Sequence, residues 1–140
     1  MKKITQMKQY YVDLARQEAL KSTMYQKHGC VIVKSRKVDN QKIIVKGYNY
    51  TKTEFNHKKS IHAEVDAFMK IAWLDDFSDC DVYIVRICNT NHDILRYSRP
   101  CKDCAQLLME KKFRNIFYST DNEEYSCKII YNNRKTVNFW

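Results

Sequence analysis

Proline occurs once in this chain, and no apolar run approaches the ~20 residues that a membrane-spanning helix needs. The opening Met1-Lys2-Lys3-Ile4-Thr5-Gln6 has no apolar core of the signal-peptide kind. There is no block of like charge, no internal repeat and no low-complexity linker. These absences argue against a membrane partner, an export route and a division into parts. One domain over residues 1–140, in the cytoplasm, is the expectation. With 44% hydrophobic and 13% aromatic residues, the chain is too apolar to remain disordered.

Six cysteines stand at positions 30, 80, 88, 101, 104 and 127. Without an export signal they read as reduced thiols rather than disulfide staples. Cys30, Cys80, Cys88 and Cys127 read as small core residues. Only Cys101 and Cys104 have the spacing of metal ligands. The net charge of +9 permits an anionic partner, either a nucleotide phosphate or a nucleic acid. The 25 Lys and Arg are spread along the chain among acids, so no basic stripe marks a nucleic-acid footprint.

Ile4, Met7, Tyr11 and Leu14 recur at helical spacing and predict a helix over residues 4–21. The β-branched runs at 30–33 and 43–45 flank a polar connection, which makes a hairpin, and Gly47 ends its second strand. Residues 48–60 are polar and aromatic and read as a loop. Ile61, Val65, Phe68 and Ala72 predict a second helix with Ser60 as N-cap. A strand follows at 81–88, then a loop to 99. Pro100 opens a third helix reaching about residue 112. Strands at 115–119 and 126–131, around a short turn, pair as a final hairpin. Strands alternating with helices give an α/β sheet covered by helices. Right-handed crossovers through residues 60–74 and 101–112 start both helices at one sheet edge and bring His62 beside Cys101.

Two motifs carry chemistry: His62-Ala63-Glu64 and Pro100-Cys101-Lys102-Asp103-Cys104. Cysteines at i and i+3 on a helix point to one side, as two ligands of one metal must. With His62 as the third ligand, a tetrahedral Zn2+ keeps one position open for water, the arrangement of a catalytic site. A helix N-terminus favours the thiolate form of both cysteines. Zinc brings a water pKa toward ~7. Glu64 is placed to stand beside that water and carry its proton. Two other readings stay open. One is a closed structural zinc site completed by Cys80, Cys88, His57 or His92; the other is a core histidine with two buried thiols.

A His/Cys/Cys zinc set with a Glu outside it is the pattern of zinc deaminases. On these motifs the sequence resembles the cytidine and deoxycytidylate deaminase superfamily over most of its length. His28-Gly29-Cys30-Val31-Ile32-Val33 is similar to the family's first strand. Gly47-Tyr48-Asn49 is similar to its Gly-x-Asn segment, in which the Asn touches the substrate sugar. Ser98-Arg99-Pro100-Cys101 and residues 115–120 resemble its third-helix entry and fourth strand. The resemblance implies a three-layer α/β/α fold, a five-stranded mixed sheet with helices on both faces and zinc between two helix starts. It implies hydrolytic deamination of a cytosine-bearing nucleotide or nucleoside, dCMP or cytidine first, with release of ammonia. Glu64 is then the catalytic residue, Asn49 orients the sugar and the Ala63 backbone approaches the base. The short 121–124 turn is similar to nucleoside-type deaminases, whereas a histidine ligand is similar to deoxycytidylate and nucleic-acid deaminases. Few residues follow the fifth strand, too few for the C-terminal helices of polynucleotide deaminases, so a small-molecule substrate ranks above RNA or DNA. Lys52, Lys58, Lys59, Arg96 and Arg99 are candidates for a 5′-phosphate, and Tyr48, Tyr50, Phe55 and Tyr97 for stacking on a base. A homo-oligomer is expected. A catalytically inactive binding module is the remaining alternative.

Overall fold

The computed structural model describes residues 6–35, 42–121 and 127–132. The chain runs α1 (Gln6–Ala19), β1 (Lys27–Ser35), β2 (Lys42–Tyr48), β3 (Tyr50–Glu54), β4 (His57–Ile61), α2 (Ala63–Met69), β5 (Cys80–Ile87), β6 (Leu95–Arg96), α3 (Lys102–Glu110), β7 (Asn115–Ser119) and β8 (Cys127–Asn132). Five strands lie in the order β2-β1-β5-β7-β8, and the two-residue β6 pairs with the end of β5. The β5–β7 pair is parallel and the other pairs are antiparallel. The expected α/β architecture, a mixed five-stranded sheet with helices on both faces, is the one observed.

Strand alternation splits the core in two. Cys30, Ile32, Val82, Ile84, Ile116 and Tyr118 face α2 and α3, where they meet Ala67, Phe68 and Leu108. Val31, Val33, Tyr83, Val85 and Phe117 face α1, where they meet Tyr11, Val12 and Ala15. A strand buried on both faces needs apolar residues at every position. That is why residues 30–33 form an unbroken apolar run instead of alternating.

The elements differ from the sequence expectation in four places. Residues 48–60 are not a loop: β3 and β4 pair as a separate two-stranded ribbon. Phe55 and Asn56 turn it with φ of 49° and 66°, as two-residue hairpin loops require. Ser60 belongs to β4, and His62 is the N-cap of α2 instead. Pro100 lies outside α3, and the N-cap there is Cys101. The segment expected as a loop to 99 contains β6. The final strand pairs antiparallel to β7, as expected of a hairpin. Residues 4–5 of the predicted first helix, residues 36–41 of the first hairpin connection and residues 122–126 before the last strand lie outside the described residues.

Candidate metal centre and its cavity

The starts of α2 and α3 meet at one edge of the sheet. His62 follows directly from β4, so its backbone is extended (φ −75°, ψ 153°), and its side chain makes no cap hydrogen bond. The imidazole is therefore free to turn toward α3. Cys101 is also extended (φ −62°, ψ 165°). Its sulfur accepts the Cys104 N–H at 3.5 Å, which places both sulfurs on the same side of the first turn. His62 Nδ1 lies 3.2 Å from Cys104 Sγ and 3.8 Å from Cys101 Sγ. The ligand atoms of the three residues all lie within 4.8 Å of one another. Donors on a tetrahedral zinc, with bonds of ~2.0–2.3 Å, sit ~3.3–3.8 Å apart. One nitrogen and two sulfurs at this spacing fit zinc. Among the described residues, His57, Cys80, Cys88 and His92 do not join the cluster.

Glu64 sits in the first turn of α2 with only 5% of its surface exposed. Its Oε1 is 3.5 Å from His62 Nδ1. This hydrogen bond raises the His62 pKa to about 9, against the opposing effect of burial. Burial, and then the Glu64 charge, push the Cys104 thiol up. The Cys104 thiol and the His62 imidazole, crowded against a carboxylate, hold their protons tightly unless a cation replaces them.

His62, Glu64 and Cys101 line a cavity of about 440 Å3, a volume typical of small-ligand sites. Asn49 and Ala63 are in its wall. Ala63 packs its side chain in the core and its carbonyl against Gly47, and its N–H lies outside the helical ladder at the first position of α2. Asn49 is 6% exposed and ties two strands together. Its Oδ1 accepts the His28 N–H at 2.9 Å, and its Nδ2 donates to the Gln26 carbonyl at 2.7 Å.

Several wall residues had no sequence signal. His28 lines the cavity, and burial lowers its pKa while Glu64 opposes the shift. A histidine at a strand start looks like any polar strand end. Ser98, buried beside it, donates to the Ile84 carbonyl at 2.8 Å and accepts the Ser119 N–H at 2.8 Å. These bonds fix the chain just before Arg99-Pro100-Cys101. Of the basic candidates, Arg99 lines the cavity, and Arg96 lines a second concavity. Lys52, Lys58 and Lys59 are exposed on the ribbon, where Lys52 pairs with Glu54 at 2.8 Å. Among the described residues, none of the four aromatic candidates lines the cavity, but Tyr25 does. Phe55 stands 95% exposed at the ribbon tip, and Tyr97 packs edge-on against Tyr118. Cys30 and Cys80 are core residues as expected. Cys88 is not: it is half-buried, bonded to Thr90 at 3.2 Å. The side chain of Cys127 lies outside the described residues.

No curated protein matches the chain significantly in sequence. Solved structures do match its fold. A cytidine deaminase from Burkholderia pseudomallei superimposes with a TM-score of 0.59 at 16% identity, covering 90% of this chain and 91% of that one. A cytidine deaminase from Mycobacterium leprae gives 0.53 at 15% identity over 91% and 95%. One from Mycobacterium tuberculosis gives 0.51 at 14% over 88% and 89%. At such identities the likeness is one of fold. Residues 5–120 match the family described as the cytidine and deoxycytidylate deaminase zinc-binding region, a stretch that contains both motifs and nearly the whole cavity wall. With most of its length matched, the chain belongs to the cytidine and deoxycytidylate deaminase family.

Proposed function

We propose that this chain is a zinc-dependent hydrolase that converts a cytosine-bearing nucleotide or nucleoside, dCMP or cytidine first, to its uracil form. One observation carries the reading: the buried Glu64 carboxylate stands beside three converging zinc-type donors in the wall of a ligand-sized cavity. His62 Nδ1, Cys101 Sγ and Cys104 Sγ would hold the metal. Bound zinc supplies the Lewis acidity that makes water a nucleophile near neutral pH.

The rest of the work belongs to the chain's own groups. Glu64 accepts a proton as water oxygen bonds to the ring carbon bearing the amine. It delivers that proton to the adjacent ring nitrogen, then takes the second water proton from the newly formed hydroxyl and passes it to the amine nitrogen. The carbon–nitrogen bond then breaks, and ammonia leaves as the carbonyl forms. Burial keeps the carboxylate fixed and away from competing water. Asn49, locked by its strand-tying hydrogen bonds, offers a rigid polar edge for the sugar. Ala63 leaves room for the base between the histidine and the carboxylate.

Glu64→Ala tests the reading. Zinc content should stay at one per chain, because no proposed ligand is lost. Turnover of dCMP or cytidine should fall by at least ~10²–10⁴-fold, the contribution of one positioned acid–base group. Zinc lost along with the carboxylate makes Glu64 a ligand. Zinc retained with near-normal turnover removes the proton-carrying role.

A further inference from the structure

The face of the sheet that carries the metal cluster also carries a row of nitrogen-bearing side chains, two of them arginines, that the cluster does not use. His28 on β1 is the cross-strand partner of Arg86 on β5, and Arg86 is the partner of Arg96 on β6. Direct partners share a face and lie ~5 Å apart. Val82 and Ile84, in phase with Arg86, pack in the α2–α3 core, so the row is on the cluster's side. His28 lines the cavity. Arg86 and Arg96 line an adjoining concavity of about 260 Å3, and Tyr25 and Gln26 wall both.

Like charges directly opposite on a ladder repel. Two other arginines are paired with acids: Arg114 meets Asp81 at 2.8 Å, and Arg16 meets Asp93 at 3.3 Å. Among the described residues, no carboxylate pairs with Arg86 or Arg96. Among the described residues, the Arg96 guanidinium reaches Cys88 Sγ at 3.7 Å, and that sulfur also meets the Thr90 hydroxyl. Donors thus converge on a small concave space next to the cavity, in which the Cys88 sulfur stands against Arg96 but, among the described residues, no carboxylate pairs with either arginine.

We propose that Arg86 and Arg96 form a phosphate subsite, so that the substrate is a nucleotide rather than a nucleoside. The proposal rests on reading the adjoining cavity as the cytosine site and names the substrate class of that same site. A base beside Glu64 directs its sugar past His28 and its phosphate toward the two guanidiniums. Planar guanidiniums bind phosphate oxygens in a bidentate fashion. A mononucleotide and a polynucleotide present the same phosphate oxygens, so the test must separate them.

The experiment is calorimetric binding to the Glu64→Ala protein, in which turnover is blocked. The ligands are dCMP, deoxycytidine and a short oligonucleotide with a single dC. dCMP should bind about 10–100-fold more tightly than deoxycytidine, the range for charge-assisted hydrogen bonds to phosphate. Adding Arg86→Gln and Arg96→Gln should bring that ratio toward one. An oligonucleotide that binds more tightly than dCMP, with the advantage lost in the same variant, supports the subsite and assigns it to a polynucleotide. The opposite order supports it and assigns it to a mononucleotide. Equal affinity for dCMP and deoxycytidine, no binding of dCMP, or a ratio that survives both substitutions overturns the subsite. Arg86 is on a central strand, so Arg96→Gln alone, on the two-residue β6, serves if the double variant does not fold. An unchanged ratio there also overturns the proposal. Binding is read without turnover, so a chain that binds dCMP in this way but deaminates nothing loses the proposed reaction and keeps the subsite.

Discussion

Both glycines of this chain lie where a helix backbone presses on a strand, and neither has a positive φ. A Cβ on Gly29 would stand 1.9 Å from the Ala15 carbonyl oxygen and 2.7 Å from the Ala19 nitrogen. A Cβ on Gly47 would stand 2.5 Å from the Ala67 nitrogen and 2.6 Å from the Ala63 oxygen. Backbone atoms cannot rotate aside, so each methyl forces a helix off the sheet. Gly29→Ala should cost about 3 kcal/mol in urea unfolding, at the upper end of ordinary overpacking. It should spare zinc content, because α1 is on the far face from the cluster. Gly47→Ala should cost a similar amount and also reduce zinc content, because it displaces the first turn of α2. Equal zinc content in the two variants would contradict this division.

Cys88 gives a second prediction at this scale. The Thr90 hydroxyl and the backbone N–H groups of Thr90 and Asn91 pull its pKa down to about 6. Burial pushes Cys80 up to about 12 and raises Cys30 as well. The thiolate is the nucleophile. Iodoacetamide at pH 7 should therefore label Cys88 well before Cys30 or Cys80, with a rate that falls as the pH drops below about 6. Peptide mapping by mass spectrometry reads the order of labelling.

At the scale of elements, the site depends on how two helices begin. The Ser98 hydroxyl holds the approach to α3 by bonding the Ile84 carbonyl and the Ser119 N–H, and it meets the Ser119 hydroxyl at 2.7 Å. Ser98→Ala leaves those buried groups short of a partner, which costs about 1–3 kcal/mol. It should also weaken zinc binding by loosening the Arg99-Pro100-Cys101 segment. Differential scanning calorimetry and a zinc competition assay measure the two effects, and a variant with both unchanged would remove this positioning role.

The elements also differ in how legible they were. The strand at 115–119 was placed to the residue, because both faces are buried and its centre is the apolar run Ile116-Phe117-Tyr118. The β3–β4 ribbon was invisible, because nearly every position on it is exposed and no apolar alternation marks it. The start of α2 was set two residues early. Ser60 and Ile61 stand opposite Thr51 and Tyr50 across the ribbon, and that pairing, which no local propensity encodes, moves the cap to His62.

For the whole molecule, a zinc bound at the proposed site would link folding to pH. Saturating zinc at a thousandfold excess over its Kd adds about 4 kcal/mol of stability, so chelation should lower Tm and zinc should restore it. The two pH effects have opposite signs. Below about 9, zinc must displace a proton from His62, so its apparent affinity should fall as pH falls. In chelator-treated protein the raised His62 pKa is itself stabilising. That contribution is fully present below the ordinary 6.5 and is lost as pH rises through about 9. Competition with a chromophoric chelator follows the first effect, and the Tm of stripped protein at pH 6 and pH 9.5 follows the second. The same direction in both would break the assignment of His62 as a ligand that Glu64 protonates.

Local chemistry alone singled out the candidate ligand set and the acid beside it. The spacing of Cys101 and Cys104, and of His62 and Glu64, survives any register error, because each pair is read within one turn of chain. The alternation of strands and helices likewise required a covered sheet. Tertiary structure decided everything that depends on strands distant in sequence lying side by side. The His28–Arg86–Arg96 row joins three strands, and no one-dimensional period links those positions. The engagement of Asn49 with Gln26 and His28 comes from the β1–β2 register. Cross-strand register is fixed by the burial of whole faces, a property of the assembled sheet that no single segment contains.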